Sequence, residues 1–169
     1  KSFAEKTNFL IEDGLTGIVG PNGCGKSNIV ESLRWVMGET SAKSMRGSGM
    51  EDVIFSGTSN KASKNIAEVS IEVENKDKEG PIQYRETEQI QVRRKIEKDK
   101  GSKFYINDKE VRARDAQMFF ADLSTGAHSP SMISQGRIGA LVTAKPTDRR
   151  AILEEAAGIS GLHVRRHEA

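Results

Sequence analysis

The chain has one cysteine, no apolar run near the roughly 18 residues of a membrane span, and almost no excess charge, with 26 Lys and Arg against 24 Asp and Glu. A single thiol, Cys24, excludes an internal disulfide. Its place inside a glycine loop matches no zinc-ligand spacing, so a reducing, cytoplasmic setting is expected. The lack of a long apolar run leaves no transmembrane or secretory segment to expect, and no membrane partner. A net charge of +2 is too small to announce nucleic acid, so any such contact has to come from local clusters of Lys and Arg. Histidine is scarce as well. Of His128, His163 and His167, only the last two stand at i and i+4, in a charged tail that reads as a solvated helix face rather than a metal site. No repeat or low-complexity block interrupts the chain, and its length fits one domain that buries roughly 70% of its unfolded surface.

What is present has a clear order. Residues 9–11 are apolar and Asp13-Gly14 is a turn signal, so the opening reads as a strand entering a hairpin, with a second strand over 15–19. A glycine-rich stretch, 20–25, gives way to Ile29, Val30, Leu33, Val36 and Met37 at helical spacing, and Gly38 supplies a stop. Residues 40–64 read as loop around a short strand at Val53, Ile54 and Phe55. Ala67, Val69, Ile71 and Val73 alternate with Glu68, Ser70, Glu72 and Glu74, which predicts a half-buried strand. Ile90, Val92 and Ile96 repeat the alternation, and residues 104–106 with Val111 flank Asn107-Asp108, so an antiparallel meander is expected. Residues 113–123 read as a helix, 124–139 as a polar, glycine-punctuated loop, and 140–142 as a short apolar segment. A further helix follows Pro146, with Thr147 as N-cap, a stripe of Ile152, Leu153, Ala156 and Ala157, and Gly158 as its end.

Chemistry concentrates at 20–28. Gly20, Gly25, Lys26 and Ser27 satisfy the Walker A pattern G-x-x-x-x-G-K-[ST], whose chance occurrence in this length is on the order of one in a hundred or rarer. Strand before and helix after supply the setting the pattern needs, because phosphates sit on unpaired N–H groups at a helix N-terminus, where the dipole favours negative charge. Bulky side chains would keep the backbone from wrapping the phosphates, which is why glycines recur. Lys26 is placed to neutralise the β and γ oxygens and the Ser27 hydroxyl to ligate Mg²⁺. ATP and Mg²⁺ are therefore the expected cofactors. Cys24 has no accompanying His or Asp motif and serves the loop through its backbone.

Several segments carry a resemblance to a known family. Lys1-Ser2-Phe3, the loop Gly20-Pro21-Asn22-Gly23-Cys24-Gly25-Lys26-Ser27-Asn28, Leu33-Arg34-Trp35-Val36-Met37-Gly38-Glu39 and Met45-Arg46-Gly47-Ser48 are four of them. Glu51-Asp52-Val53-Ile54-Phe55, Met132-Ile133-Ser134-Gln135-Gly136-Arg137 and Asp148-Arg149-Arg150 through Glu154-Glu155-Ala156-Ala157-Gly158 complete the set. Together they resemble the N-terminal half of the ATPase head of bacterial SMC (structural maintenance of chromosomes) segregation proteins. The resemblance spans nearly the whole chain and is weakest over 76–103.

The resemblance implies roles that composition does not give. Gln135 would be the Q-loop glutamine, contacting Mg²⁺ and the attacking water. Arg46 would be an arginine finger acting in cis on the nucleotide phosphates, a task suited to a rigid fork of donors. Lys1 would lie near the adenine and α-phosphate, and Pro21, Asn22, Gly23, Cys24 and Asn28 would line the phosphate loop with Gly25, Lys26 and Ser27. No Leu-Ser-Gly-Gly signature and no Walker B segment occurs in the chain, and Gly49 stands where some relatives carry a DNA-facing Lys.

The fold implied is α/β, a P-loop NTPase of the ABC-ATPase type, with a mixed sheet around the 15–19 strand and an antiparallel β meander. It is incomplete, an N-terminal lobe over 1–158 followed by the start of a coiled-coil helix over 159–169. The function implied is ATP-dependent head engagement in chromosome condensation and segregation, with hydrolysis expected in the complete head dimer and nearly none from this chain alone. Implied partners are the C-terminal half of the same head, a second SMC head, a kleisin-type subunit and double-stranded DNA, with a cytoplasmic, nucleoid-associated location. Lys61, Lys64, Arg93, Arg94, Lys95, Arg112 and Arg114 are the basic residues available for DNA phosphates, although solvated strand charge is the commoner role for such residues. Three rivals remain: a recombination or repair ATPase of RecF or RecN type, a small nucleoside kinase, and a noncatalytic nucleotide-binding module. The 148–158 segment argues against the first, and a β-rich centre without a lid argues against the second.

Overall fold

The computed structural model describes residues 2–43, 45–76, 78, 80–123, 132, 133, 139 and 142–157. Helix α1 (Lys26–Val36) is followed by strands β1 (Ile66–Glu74), β2 (Gln89–Glu97), β3 (Gly101–Ile106) and β4 (Lys109–Val111), then by helices α2 (Ala113–Asp122) and α3 (Pro146–Ala156). The four strands pair in chain order as an antiparallel meander. Asn107 and Asp108, at φ 46° and 61°, make the two-residue left-handed turn that the β3–β4 hairpin requires.

The alternation predicted along the strands sets the layers. Ile90, Val92 and Ile96 of β2 point inward with Phe104 and Ile106 of β3, and α1 and α2 cover that face. Val36, Ile90, Val92, Ile106, Phe119 and Phe120 form one core cluster, in which the two Phe rings meet edge to face at 5.2 Å. Trp35, Met45, Ile54 and Ile96 form a second, under the end of α1. Each such buried side chain contributes roughly 1.5–3 kcal/mol of transfer free energy, so the meander and the two helices hold one another in place.

Arg94 joins these layers and corrects the sequence reading, which put it on a DNA-facing surface. It has the inward parity of Val92 and Ile96 and is only 3% exposed. Its Nη1 donates to the carbonyls of Trp35 (2.7 Å) and Glu39 (2.6 Å), its Nε donates to Ser102 Oγ (2.7 Å), and its guanidinium lies between the Trp35 and Phe104 rings. Burial lowers its pKa to about 10, and the Glu39 carboxylate acts in the opposite direction. The cation thus remains charged at neutral pH and satisfies carbonyls at the C-terminal end of α1, where positive charge is favoured.

Three further expectations are corrected. Residues 9–11 and 15–19 form no ladder, so the mixed sheet around the 15–19 segment is not built by the described residues. Leu15 and Val19 are 97% and 92% exposed, and no backbone hydrogen bond among the described residues reaches this stretch. An extended segment becomes a strand only when a neighbour takes its N–H and C=O groups, and no described strand pairs with this one. Second, Val53, Ile54 and Phe55 make no strand: Val53 ends a 3₁₀ turn (Met50–Val53), and Ile54 and Phe55 follow it and are buried from a loop. Third, Thr147 is inside α3, not its cap. The helix opens with Pro146, whose missing N–H costs nothing at that position, and Asp148 and Arg149 N–H groups donate to the Lys145 carbonyl. Gly158 lies outside the described residues.

Candidate nucleotide-binding site

The site is built where the extended 15–19 segment turns into α1. Gly23 and Gly25 adopt φ of 82° and 93°, a left-handed backbone that an L side chain would strain. At Gly20 a Cβ would lie 3.0 Å from Cys24 Sγ, so the loop closes tightly on itself. Gly25 caps α1 without any side-chain hydrogen bond, and no acidic residue stands in the first turn. The N–H groups of Gly25, Lys26 and Ser27 donate to no acceptor among the described residues. Unpaired donors at the positive end of a helix dipole, free of competing carboxylates, are what a phosphate group requires. Lys26 Nζ bends over this loop and donates to the carbonyls of Gly20 (2.7 Å) and Pro21 (2.6 Å). Its ammonium therefore already sits above the cradle.

Arg46 comes to the same place from a distant turn. Its Nη2 donates to Asn28 Oδ1 at 3.0 Å, and its Nε donates to Glu31 Oε1. Asn28 Nδ2 in turn donates to Ser2 Oγ, and a Cβ on Gly25 would touch Ser2 at 3.7 Å, so the N-terminal stretch packs against the start of α1. The structure thus brings Pro21, Asn22, Gly23, Cys24, Gly25, Lys26, Ser27, Asn28 and Arg46 together. Lys1 and Gln135 lie outside the described residues, and so do His128, His163 and His167. Cys24 is exposed and free, with its Sγ 3.9 Å from Lys26 Nζ. The donor set fits a polyphosphate with a divalent cation: unpaired amides and Lys26 for the phosphate oxygens, and the Ser27 hydroxyl for the metal.

Sequence reasoning missed Glu31. This carboxylate, one turn beyond Ser27 and Asn28, is 7% exposed, and only the fold shows that Arg46 is its partner. The Met45-Arg46-Gly47-Ser48 and Glu51-Asp52 motifs also meet, because Asp52 Oδ2 accepts from the N–H groups of Ser48 (2.6 Å) and Gly49 (3.0 Å) and from Ser48 Oγ (2.9 Å).

The basic residues named for DNA are not all free on one exposed face: Arg94 is buried, and two others are paired with acids. Arg93 is on the outer face of the sheet, stacked on Tyr105 and paired with Asp108 (2.8 Å) and Glu68 (3.5 Å). Lys61 pairs with Glu5 at 2.6 Å and, chiefly through that hydrogen bond, holds the Glu5 carboxyl below the usual carboxylate range. Among the described residues no group of His, Cys, Asp and Glu could hold a metal ion, and no helix is long and apolar enough to cross a membrane.

Comparison with known proteins supplies the context. The sequence model of the RecF/RecN/SMC N terminal domain matches residues 1–137. Chromosome partition protein Smc of Rhodopseudomonas palustris is 54% identical over 169 residues, and its counterpart in Cereibacter sphaeroides is 56% identical over the same span. Each match covers 100% of this chain, and the chain spans about 15% of the length of these curated relatives. A structure from work on ATP-driven dimerization and DNA-stimulated activation of SMC ATPases superposes with a TM-score of 0.72 at 30% identity, covering 86% of each chain. The Smc head domain of Pyrococcus furiosus, solved with the C-terminal domain of ScpA bound, gives a TM-score of 0.73 at 28% identity, covering 88% of this chain and 36% of that one.

Proposed function

The chain belongs to the RecF/RecN/SMC N terminal domain family, and on that premise we propose that it is the ATP-binding half of an SMC head whose ATP-dependent engagement with a second head serves chromosome condensation and segregation. Its fold is that of the N-terminal lobe of an ABC-type ATPase head. The observation that carries the proposal is the 20–27 loop, with amides opening α1 that have no acceptor among the described residues and with Lys26 held on the carbonyls of Gly20 and Pro21. Lys26 and the loop amides would bind the β and γ phosphates, Arg46 would add its guanidinium, and Ser27 and Gln135 would hold Mg²⁺. The metal, when bound, supplies charge neutralisation at the phosphate oxygens. Lys1 would lie toward the base. Residues 1–158 would form the lobe and 159–169 the start of the coiled-coil helix. Names given to relatives of more than 50% identity favour the chromosome-partition reading over the recombination and repair one.

Partners follow from the same likeness: the C-terminal half of this head, a second head, and a kleisin-type subunit, since similar heads were solved with parts of ScpA bound. A cytoplasmic, nucleoid-associated location accompanies this role. The test is mass. Light scattering of the assembled head should show doubling on addition of Mg-ATP and none with Lys26→Ala; an unchanged mass with nucleotide would overturn the engagement reading.

Double-stranded DNA is the further partner proposed. Arg94 is withdrawn from that surface, and Arg93 and Lys61 are paired with acids, so the proposed phosphate contacts are Lys64, Lys95, Arg112 and Arg114. Binding to engaged heads should be indifferent to sequence and fall steeply with salt, as counterion release dictates. Charge reversal at Lys64, Lys95, Arg112 and Arg114 should weaken a gel-shift or anisotropy isotherm by about tenfold or more. An unaltered isotherm would remove this surface.

A further inference from the structure

We propose that Glu31 is the positioning residue for Arg46, fixing its guanidinium beside the first turn of α1 so that it meets nucleotide phosphates already oriented. The inference rests on the reading of residues 20–27 as the ATP site. A carboxylate as buried as Glu31 is costly unless paired, and Arg46 Nε donates to it. Arg46 is delivered by a tight turn: Met45 and Gly47 N–H groups donate to the Ala42 carbonyl at 3.1 and 2.9 Å, and Arg46 N–H donates to Lys43 at 3.0 Å. Met45, 2% exposed, anchors that turn in the core, and Arg46 leaves it at φ 51°, a left-handed backbone that strains a residue with a Cβ. A strained residue persists only where its surroundings over-determine it. Here they do so with two acceptors on one helix face, Asn28 Oδ1 and Glu31 Oε1, at i and i+3.

The consequence is a guanidinium with two of its five N–H groups committed and its side chain still 59% exposed. A free arginine carries rotamer entropy that binding would have to remove. Glu31 removes much of it in advance. A carboxylate that instead withheld Arg46 from the nucleotide would act with the opposite sign, and its loss would tighten binding.

The experiment is a double-mutant cycle on Mg-ATP affinity, read by titration of the head assembled from this chain and its C-terminal half. Glu31→Ala should weaken ATP about tenfold, a loss of about 1.4 kcal/mol. Glu31→Gln should weaken it about threefold, since an amide oxygen still accepts from Nε but carries no charge. In an Arg46→Ala background either change should matter by less than about twofold. An equal loss in both backgrounds would show that the carboxylate only supports the fold, and tighter binding would show that it withholds the arginine; either overturns the proposal. If Glu31→Ala does not fold, the Gln variant, matched to wild type in melting temperature, carries the cycle. ATP binding that is absent, or indifferent to Lys26→Ala, would overturn the site reading and this inference with it, and it is recognisable because it precedes any effect of Glu31.

Discussion

Lys26→Ala is expected to lower Mg-ATP affinity by about a hundredfold or more, which in a titration at micromolar protein appears as loss of binding. The wild-type ammonium is already held 2.6–2.7 Å from two carbonyls of the loop whose 25–27 amides have no acceptor among the described residues. Hydrogen bonds to charged groups are worth about 1.5–3 kcal/mol each, and a lysine facing two phosphates replaces both carbonyl contacts with stronger partners. Losing two such bonds amounts to about 3 kcal/mol or more, or about a hundredfold in dissociation constant. The amides alone cannot offset that, since one helix terminus supplies only about 0.3–2 kcal/mol toward an anion. Cys24→Ser is the matched control. Its side chain touches the loop only through Sγ, so affinity should stay within about threefold. Unchanged affinity in Lys26→Ala would remove the basis of the site.

How far the sequence carried the fold depended on whether a pattern could be satisfied locally. The helix over 26–36 and the meander over 66–111 were legible because their periodicities choose a face, and the chain supplies a cover for that face within about 60 residues. Residues 9–11 and 15–19 have equally good strand patterns. A pattern specifies a face but names no partner, so the structure leaves them extended and exposed. Arg94 was misassigned by chemistry, although parity alone places it among Ile90, Val92 and Ile96 on the inner face; the cation is tolerated there because carbonyls and aromatic rings surround it. At the site, the phosphate loop was legible because its residues are contiguous. Arg46 was reachable only through family resemblance, and Glu31 was invisible. Its contact spans 15 residues and depends on a left-handed turn that no spacing rule encodes.

The isolated chain is expected to release phosphate from ATP negligibly, and addition of the C-terminal half of the same head as a separate chain should raise the rate by about 10³-fold or more. Phosphoryl transfer to water needs the γ-phosphate placed, its charge neutralised and the water activated. Lys26, Ser27 and Arg46, which lie together, are proposed for the first two tasks, and Gln135 is proposed to join them at the metal and the water. No Walker B carboxylates and no Leu-Ser-Gly-Gly signature occur among the 169 residues, so water activation and closure over the γ-phosphate have to come from elsewhere. Each such element is typically worth about 10² or more in rate, and two absent together give the factor expected. Binding should survive better than turnover, since the loop amides and Lys26 belong to this chain. The same addition should also change its association. Leu10, Leu15 and Val19 are 82%, 97% and 92% exposed on a segment without ladder partners among the described residues, a combination that favours self-association until strands cover it. Phosphate release that rises on mixing the halves, and disappears with Lys26→Ala or Gln135→Ala, is the result this assignment requires. Robust turnover by the chain alone would mean that water is activated by a group within these residues, and the division of labour between two halves would then be wrong.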